Sequence, residues 1–183
     1  MVSERRRRGG EERLGRHERK GTAMAEQFEV TELVKIAVED EISGVVFYTA
    51  MAGKAKDKEL KKVFADLAEQ EKHHQKRFEE MLAGLGGYHA PEQYSGEYMA
   101  YLGVLTGGRA FPDPKAARKA AEACRNDGEA LALATRFERD TLMLMNEMRG
   151  LVPEKDGAIV EEVATEEQGH LVTLTEARQR LGV

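Results

Sequence analysis

Two segments of this 183-residue chain, Glu71-Lys72-His73-His74 and Glu167-Gln168-Gly169-His170, each set a carboxylate and an imidazole three residues apart. On a helix, side chains at i and i+3 lie on one face, so each pair can grip an ion from one side. Two more glutamates, Glu41 and Glu138, fall where the surrounding apolar stripe calls for a hydrophobic side chain, and therefore point inward. The spacing repeats. Glu41 precedes Glu71 by 30 residues, Glu138 precedes Glu167 by 29, and the two halves are offset by 96 or 97. Four bare carboxylates in a core are very costly and must pair, take up protons or unfold the chain. Two divalent cations bring four positive charges, which balance four carboxylates with both imidazoles neutral, and carboxylates can bridge a metal pair. The chemistry indicated is a two-metal centre on Glu41, Glu71, His74, Glu138, Glu167 and His170.

Four amphipathic helices are needed to bring these groups together. The first stripe runs through Val34, Ala37, Val38, Val45, Tyr48 and Ala52, and the second through Val63, Phe64, Leu67, Phe78 and Leu82 to Gly84, Gly86 and Gly87. A third follows the capping candidates Asn126 or Asp127, through Leu131, Ala134, Phe137, Leu142, Met145 and Met148. Pro153 opens the fourth, with Ile159, Val163, Leu171 and Leu174. The pattern predicts helices over 28–54, 57–84, 127–150 and 153–181, paired as two antiparallel hairpins in one domain, 27–183. The crossover, 85–126, contains shorter helical pieces over 92–105 and 114–124 and is long enough to run back along a bundle.

Taken singly, each of these glutamates is most economically a solvated charge on a helix face. The joint pattern outweighs that reading, because both Glu-x-x-His pairs and both inward glutamates recur at matched spacing. Glu39 lies about 200° round the helix from Glu41, and Asp40 and His73 lie about 100° from their neighbours, so all three are expected at the surface. Glu69 and Glu166 are expected there too, although a carboxylate shift could recruit either. Met143, Met145 and Met148 read as core filler, and Cys124 as an inert thiol.

With the six ligand positions, the spacing of Glu41 and Tyr48, and the segment from Leu67 to His74, the chain resembles the ferritin-like superfamily, and within it the rubrerythrin-like di-iron carboxylate domains, over about residues 28–181. The resemblance implies an all-α, ferritin-like four-helix bundle with a di-iron cofactor, manganese or a mixed pair being the alternative. It also implies a catalytic role for Tyr48, whose phenol would donate a hydrogen bond towards the ligand carboxylates. The activity implied is reduction of peroxide or activation of dioxygen, in the chemistry of oxidative stress. The rivals are a ferroxidase that handles iron and a metal-free structural bundle. Three departures stand out. The chain has no cysteine-ligated rubredoxin module, so an external electron donor is required. Thr141 stands where rubrerythrins carry an extra glutamate, which makes the ligand set closer to that of bacterioferritin. Met145 occupies the repeat position of Tyr48. A homodimer is a further expectation from the resemblance.

Composition agrees with helices: 33% of residues are charged, 6% are aromatic and 4 are proline. The single cysteine excludes an internal disulfide and Cys-only metal sites, and suits a reducing compartment, the cytoplasm. No apolar run suggests a membrane span or a secretory signal. Residues 1–20 carry eight Lys or Arg against four Glu, while the whole chain has a net charge of -5. This basic extension, 1–26, is expected to be a disordered, solvated tail or an upstream extension before Met24, rather than a nucleic-acid-binding arm.

Overall fold

A computed structural model describes residues 30–86 and 96–183 of the chain, so the expectations for 1–26 lie outside the described residues. Among the described residues six helices follow in order: α1 Val30–Lys54, α2 Lys58–Leu85, α3 Gly96–Gly107, α4 Pro114–Ala123, α5 Asp127–Met148 and α6 Glu154–Leu181. The α1–α2 and α5–α6 connections are too short for anything but antiparallel neighbours. Each hairpin packs along its own length, α1 also touches α5, and α2 touches α6. The result is the all-α four-helix bundle expected from the stripes, with α4 laid on α1 and α3 against α5.

Short polar residues fix the helix ends. Asp57 accepts from Leu60 N at 2.8 Å and caps α2, Asp113 accepts from Ala116 N at 2.7 Å and caps α4, and Asn126 accepts from Glu129 N at 2.8 Å and caps α5. Asp127 reaches across to the other hairpin instead, where its carboxylate receives Lys56 N and Asp57 N, both at 3.1 Å, and holds the α1–α2 turn. Arg180, from the last turn of α6, donates to Asp57 Oδ1 at 2.6 Å. Three helices are thereby tied together at one end of the bundle. Gly86 and Gly182 close α2 and α6 with φ of 45° and 68°, values that favour glycine.

The core is divided into two apolar clusters. One contains Phe47, Tyr48, Met51, Leu60, Phe64, Leu131, Phe137 and Leu174, and the other Val30, Leu33, Val34, Phe78, Met81, Leu144, Met145 and Val163. The buried carboxylates and imidazoles belong to neither cluster and form a polar layer in the middle portions of the long helices. Cys124 is buried, donates to Ala120 O at 3.3 Å and has its thiol pushed up by burial, which keeps it protonated.

The crossover changes one expectation. Asp40 is not at the surface but 2% exposed, because Arg109, between α3 and α4, folds over that side of α1 and pairs with it. A wheel centred on Glu41 counts only one buried face of α1, whereas the helix has a second face under the crossover. Asp140 accepts Ala110 N at 2.7 Å, and Arg136 donates to Gly108 O at 3.1 Å, so the same loop is also fastened to α5. Between these anchors Phe111 inserts against Phe47 and Phe137, with ring centroids 5.0 and 5.2 Å away.

The Asp57–Arg180 tie makes a pH-dependent contribution. Arg180 and the Leu60 amide hold the Asp57 carboxyl down at about 2, so its stabilisation is present above the unfolded value near 4 and is lost as pH falls through about 2. Asp57→Asn keeps a capping side chain but removes the charge. It is expected to lower the melting temperature at pH 7, with the difference from the parent shrinking to nothing as thermal scans approach pH 2.

Candidate metal centre

The structure brings together all six groups expected from the sequence. Glu41 comes from α1, Glu71 and His74 from α2, Glu138 from α5, and Glu167 and His170 from α6, each 0–2% exposed. They fall into two overlapping sets of four whose ligand atoms lie within 4.8 Å of one another: Glu41, Glu71, His74 and Glu167, and Glu71, Glu138, Glu167 and His170. Glu71 and Glu167 belong to both sets, so they would be shared between two metal ions if both positions were filled. Glu41 with His74, and Glu138 with His170, complete one position each.

Close approach here favours a glycine. A Cβ on Gly44 would lie 3.0 Å from Phe137 Cε1 and Cζ and 3.1 Å from Glu71 Cδ, so a side chain would press on the bridging carboxylate. The imidazoles are oriented from outside the cluster. His74 Nε2 lies 2.8 Å from Glu166 Oε2, and Arg77 Nη1 donates to Glu166 Oε1 at 2.9 Å. His170 Nε2 lies 3.3 Å from Gln70 Oε1. Both rings therefore turn Nδ1 inward, as they would to ligate an ion, with Nε2 carrying the proton. Tyr48 Oη donates a very short hydrogen bond to Glu138 Oε1, the kind of contact expected for it, although its partner lies on α5 rather than on its own helix.

The inward atoms are poorly served by one another. Both oxygens of Glu41, Glu71 and Glu167, Glu138 Oε2 and both Nδ1 atoms have no hydrogen-bond partner among the described residues. Glu167 oxygens lie 2.8 Å from both Nδ1 atoms, yet these contacts lack hydrogen-bond geometry. Converging, unpaired donors in a dry layer are the arrangement that suits a pair of metal ions.

Without ions, protons balance the charge. Burial, and then repulsion from Glu71, pushes Glu41 well above the usual carboxylate range, and burial with repulsion from Glu167 raises Glu138 to about 8. Burial acts the same way on Glu71 and Glu167, but their protonated neighbours outweigh it and hold both below the ordinary value. Burial disfavours charged imidazoles, yet the surrounding carboxylates outweigh it, carrying His74 far up and His170 to about 12. In the metal-free layer, burial and neighbouring charge therefore favour protons on Glu41, Glu138 and both imidazoles. Burial and the Glu138 charge raise Tyr48 as well, so its phenol keeps its proton.

Two residues escaped the sequence reading. Glu166 looked like a surface charge, but its side chain is 38% exposed and reaches the His74 ring from the adjacent helix. Asp40, one residue before Glu41, is the crossover's anchor. Neither follows from periodicity, because each takes its role from a partner more than 60 residues away. His73 and Glu69 are exposed, and Glu69 pairs with Lys72 at 2.5 Å. Thr141 is 1% exposed, and its hydroxyl has no partner among the described residues.

A family model described as Rubrerythrin matches residues 32–107, which takes in Glu41, Tyr48, Glu71 and His74. The fold also matches a crystal structure from Thermotoga maritima described as a candidate ferritin-like diiron-carboxylate protein. The two share 24% identity with a TM-score of 0.64, over 86% of this chain and 98% of that one. Over residues 32–107 the chain is similar to the Rubrerythrin family, and the bundle shares the fold of that crystal structure. No curated protein matches the sequence significantly. The family match ends before α5, so Glu138, Glu167 and His170 join the site through their position in the cluster alone.

Two dications would displace protons that burial and neighbouring charge favour on Glu41, Glu138, His74 and His170. Anaerobic addition of two equivalents of a divalent metal at pH 7 is expected to release protons, read with an indicator dye. Affinity should weaken as pH falls, because more protons must be expelled. The loaded protein should melt at a higher temperature than the metal-free one.

Proposed function

We propose that Glu41, Glu71, His74, Glu138, Glu167 and His170 hold two iron ions, and that the protein is a di-iron redox enzyme that reduces peroxide or activates dioxygen, with peroxide the preferred oxidant. The observation that carries this reading is the inward convergence of unpaired donors on two positions bridged by Glu71 and Glu167. When bound, the ions would supply two electrons, one from each, for cleavage of an O–O bond.

The chain's own contribution is to hold donors, protons and dryness in place. Glu71 and Glu167 would be shared by the two ions and would offset their charge. Tyr48 keeps a proton at Oη against Glu138 Oε1, enclosed by Phe47, Phe64 and Phe137 with ring centroids 5.4–6.2 Å away. That proton is held directly against a carboxylate of the cluster. Glu166, bonded to His74 and partly exposed, links the cluster to solvent. Converting peroxide to two waters consumes two electrons and two protons, so an external donor must re-reduce the site; the single cysteine provides no cysteine-ligated iron centre for this. Among the described residues no helix is long and apolar enough to cross a membrane. A cytoplasmic homodimer is part of the proposal.

One observation favours a second reading. Thr141 replaces the extra glutamate of rubrerythrins, which leaves a ligand set like that of an iron-oxidising bundle and supports iron handling by a ferroxidase. Stopped-flow mixing of the reduced, iron-loaded protein with peroxide or dioxygen separates the two. Faster oxidation by peroxide, with turnover when a reductant is present, is expected. Preference for dioxygen, with iron accumulating beyond two ions per chain, would instead establish the ferroxidase. Glu71→Ala and His170→Ala should each lose at least one iron while retaining their helical circular dichroism. Tyr48→Phe should keep both ions and slow the peroxide step about a hundredfold.

A further inference from the structure

We propose that the two halves of the cluster are unequal metal sites, the Glu41/His74 half binding its ion more tightly, and that Glu166 is the positioning residue chiefly responsible. The inference rests on the two-metal reading and goes beyond it by assigning an order to the two positions. The sequence repeat makes the ligands alike in type: each half has one terminal glutamate, one histidine and a share of Glu71 and Glu167. What surrounds them is not alike.

Behind His74, Nε2 meets a carboxylate oxygen of Glu166 at 2.8 Å, and Arg77 grips the other oxygen and fixes its direction. Behind His170, Nε2 meets the neutral amide oxygen of Gln70 at the longer distance of 3.3 Å. A carboxylate that accepts the Nε2 proton pushes electron density through the ring to Nδ1 and makes it a stronger donor, and charge-assisted hydrogen bonds are about twice as strong as neutral ones. The Arg77 charge withdraws part of that effect, but Arg77 is 36% exposed and screened, whereas the His74 ring is fully buried.

The glutamates differ in the same sense. Glu138 gives one oxygen to the Tyr48 phenol, which draws charge away from any ion it holds and leaves only Oε2 unpaired. Both oxygens of Glu41 are unpaired, and Met145, at the repeat position of Tyr48, has no hydroxyl to offer. The Glu166 contact therefore enriches one half and the Tyr48 contact depletes the other, while the bridging carboxylates are common to both.

Anaerobic titration of the full chain with Co2+, followed by calorimetry and visible absorption, tests this. The parent protein should bind two ions in two resolved steps, and His74→Ala should remove the tighter step. Glu166→Ala should loosen that step by roughly 10–100-fold and leave the other unchanged, with Glu166→Asp restoring it. Gln70→Glu should tighten the weaker step. Two indistinguishable steps in the parent, loss of the tighter step in His170→Ala, or equal weakening of both steps by Glu166→Ala would overturn the assignment while leaving the two-metal reading standing. Binding of fewer than two ions per chain would overturn both.

Discussion

Four carboxylates and two imidazoles share one dry layer of this bundle, with an apolar cluster on either side. Their mutual electrostatics constrain everything else in the molecule. A carboxylate stripped of water without compensation is unstable by several kcal/mol at least, so the layer persists only if positive charge accompanies it into the core. Protons can serve, at the cost of raised carboxyl and imidazole values, and a pair of dications can serve with less frustration, because it also satisfies lone pairs that protons leave unpaired. The bundle's architecture is the means of keeping these groups close when their charges oppose it.

That closeness is maintained by devices remote from the layer. The tie among Asp57, Asp127 and Arg180 fixes three helices at one end, which limits how far they can splay. The crossover is pinned at Asp40 and Asp140 and drives Phe111 into the aromatic group around Tyr48. A bundle without these constraints could relieve its central repulsion by letting the helices separate. Gly44 works in the opposite direction from a filler residue: by lacking a side chain it lets Glu71 and Phe137 come within ordinary packing distance of α1.

Near-symmetry of the ligands combined with asymmetry around them has a chemical consequence. Repetition of a helical hairpin produces two similar half-sites, and the side chains that differ between the halves then adjust each one separately. Tyr48 against Met145, and Glu166 against Gln70, are differences of this kind. On the two-metal reading they would alter how strongly each half donates without changing which atoms donate, so a centre made of two similar halves would still distinguish its ions.

Much of this was legible in the residues alone. Apolar periodicity, glycine and proline at the breaks and the length of the segment between the hairpins determined an all-α bundle with a long crossover, since helix burial depends on local spacing. The six inward donors were legible for the same reason: a charge in an apolar stripe must be compensated, and their matched spacing located the compensation at one level. Only the tertiary structure decided which groups surround that level. Asp40 is buried by a loop that a helical wheel does not contain, Glu166 reaches His74 from a neighbouring helix, and Tyr48 serves a glutamate 90 residues away rather than the one on its own helix. These contacts depend on how helices are rotated and stacked against one another, and a one-dimensional pattern of hydrophobicity does not encode that rotation.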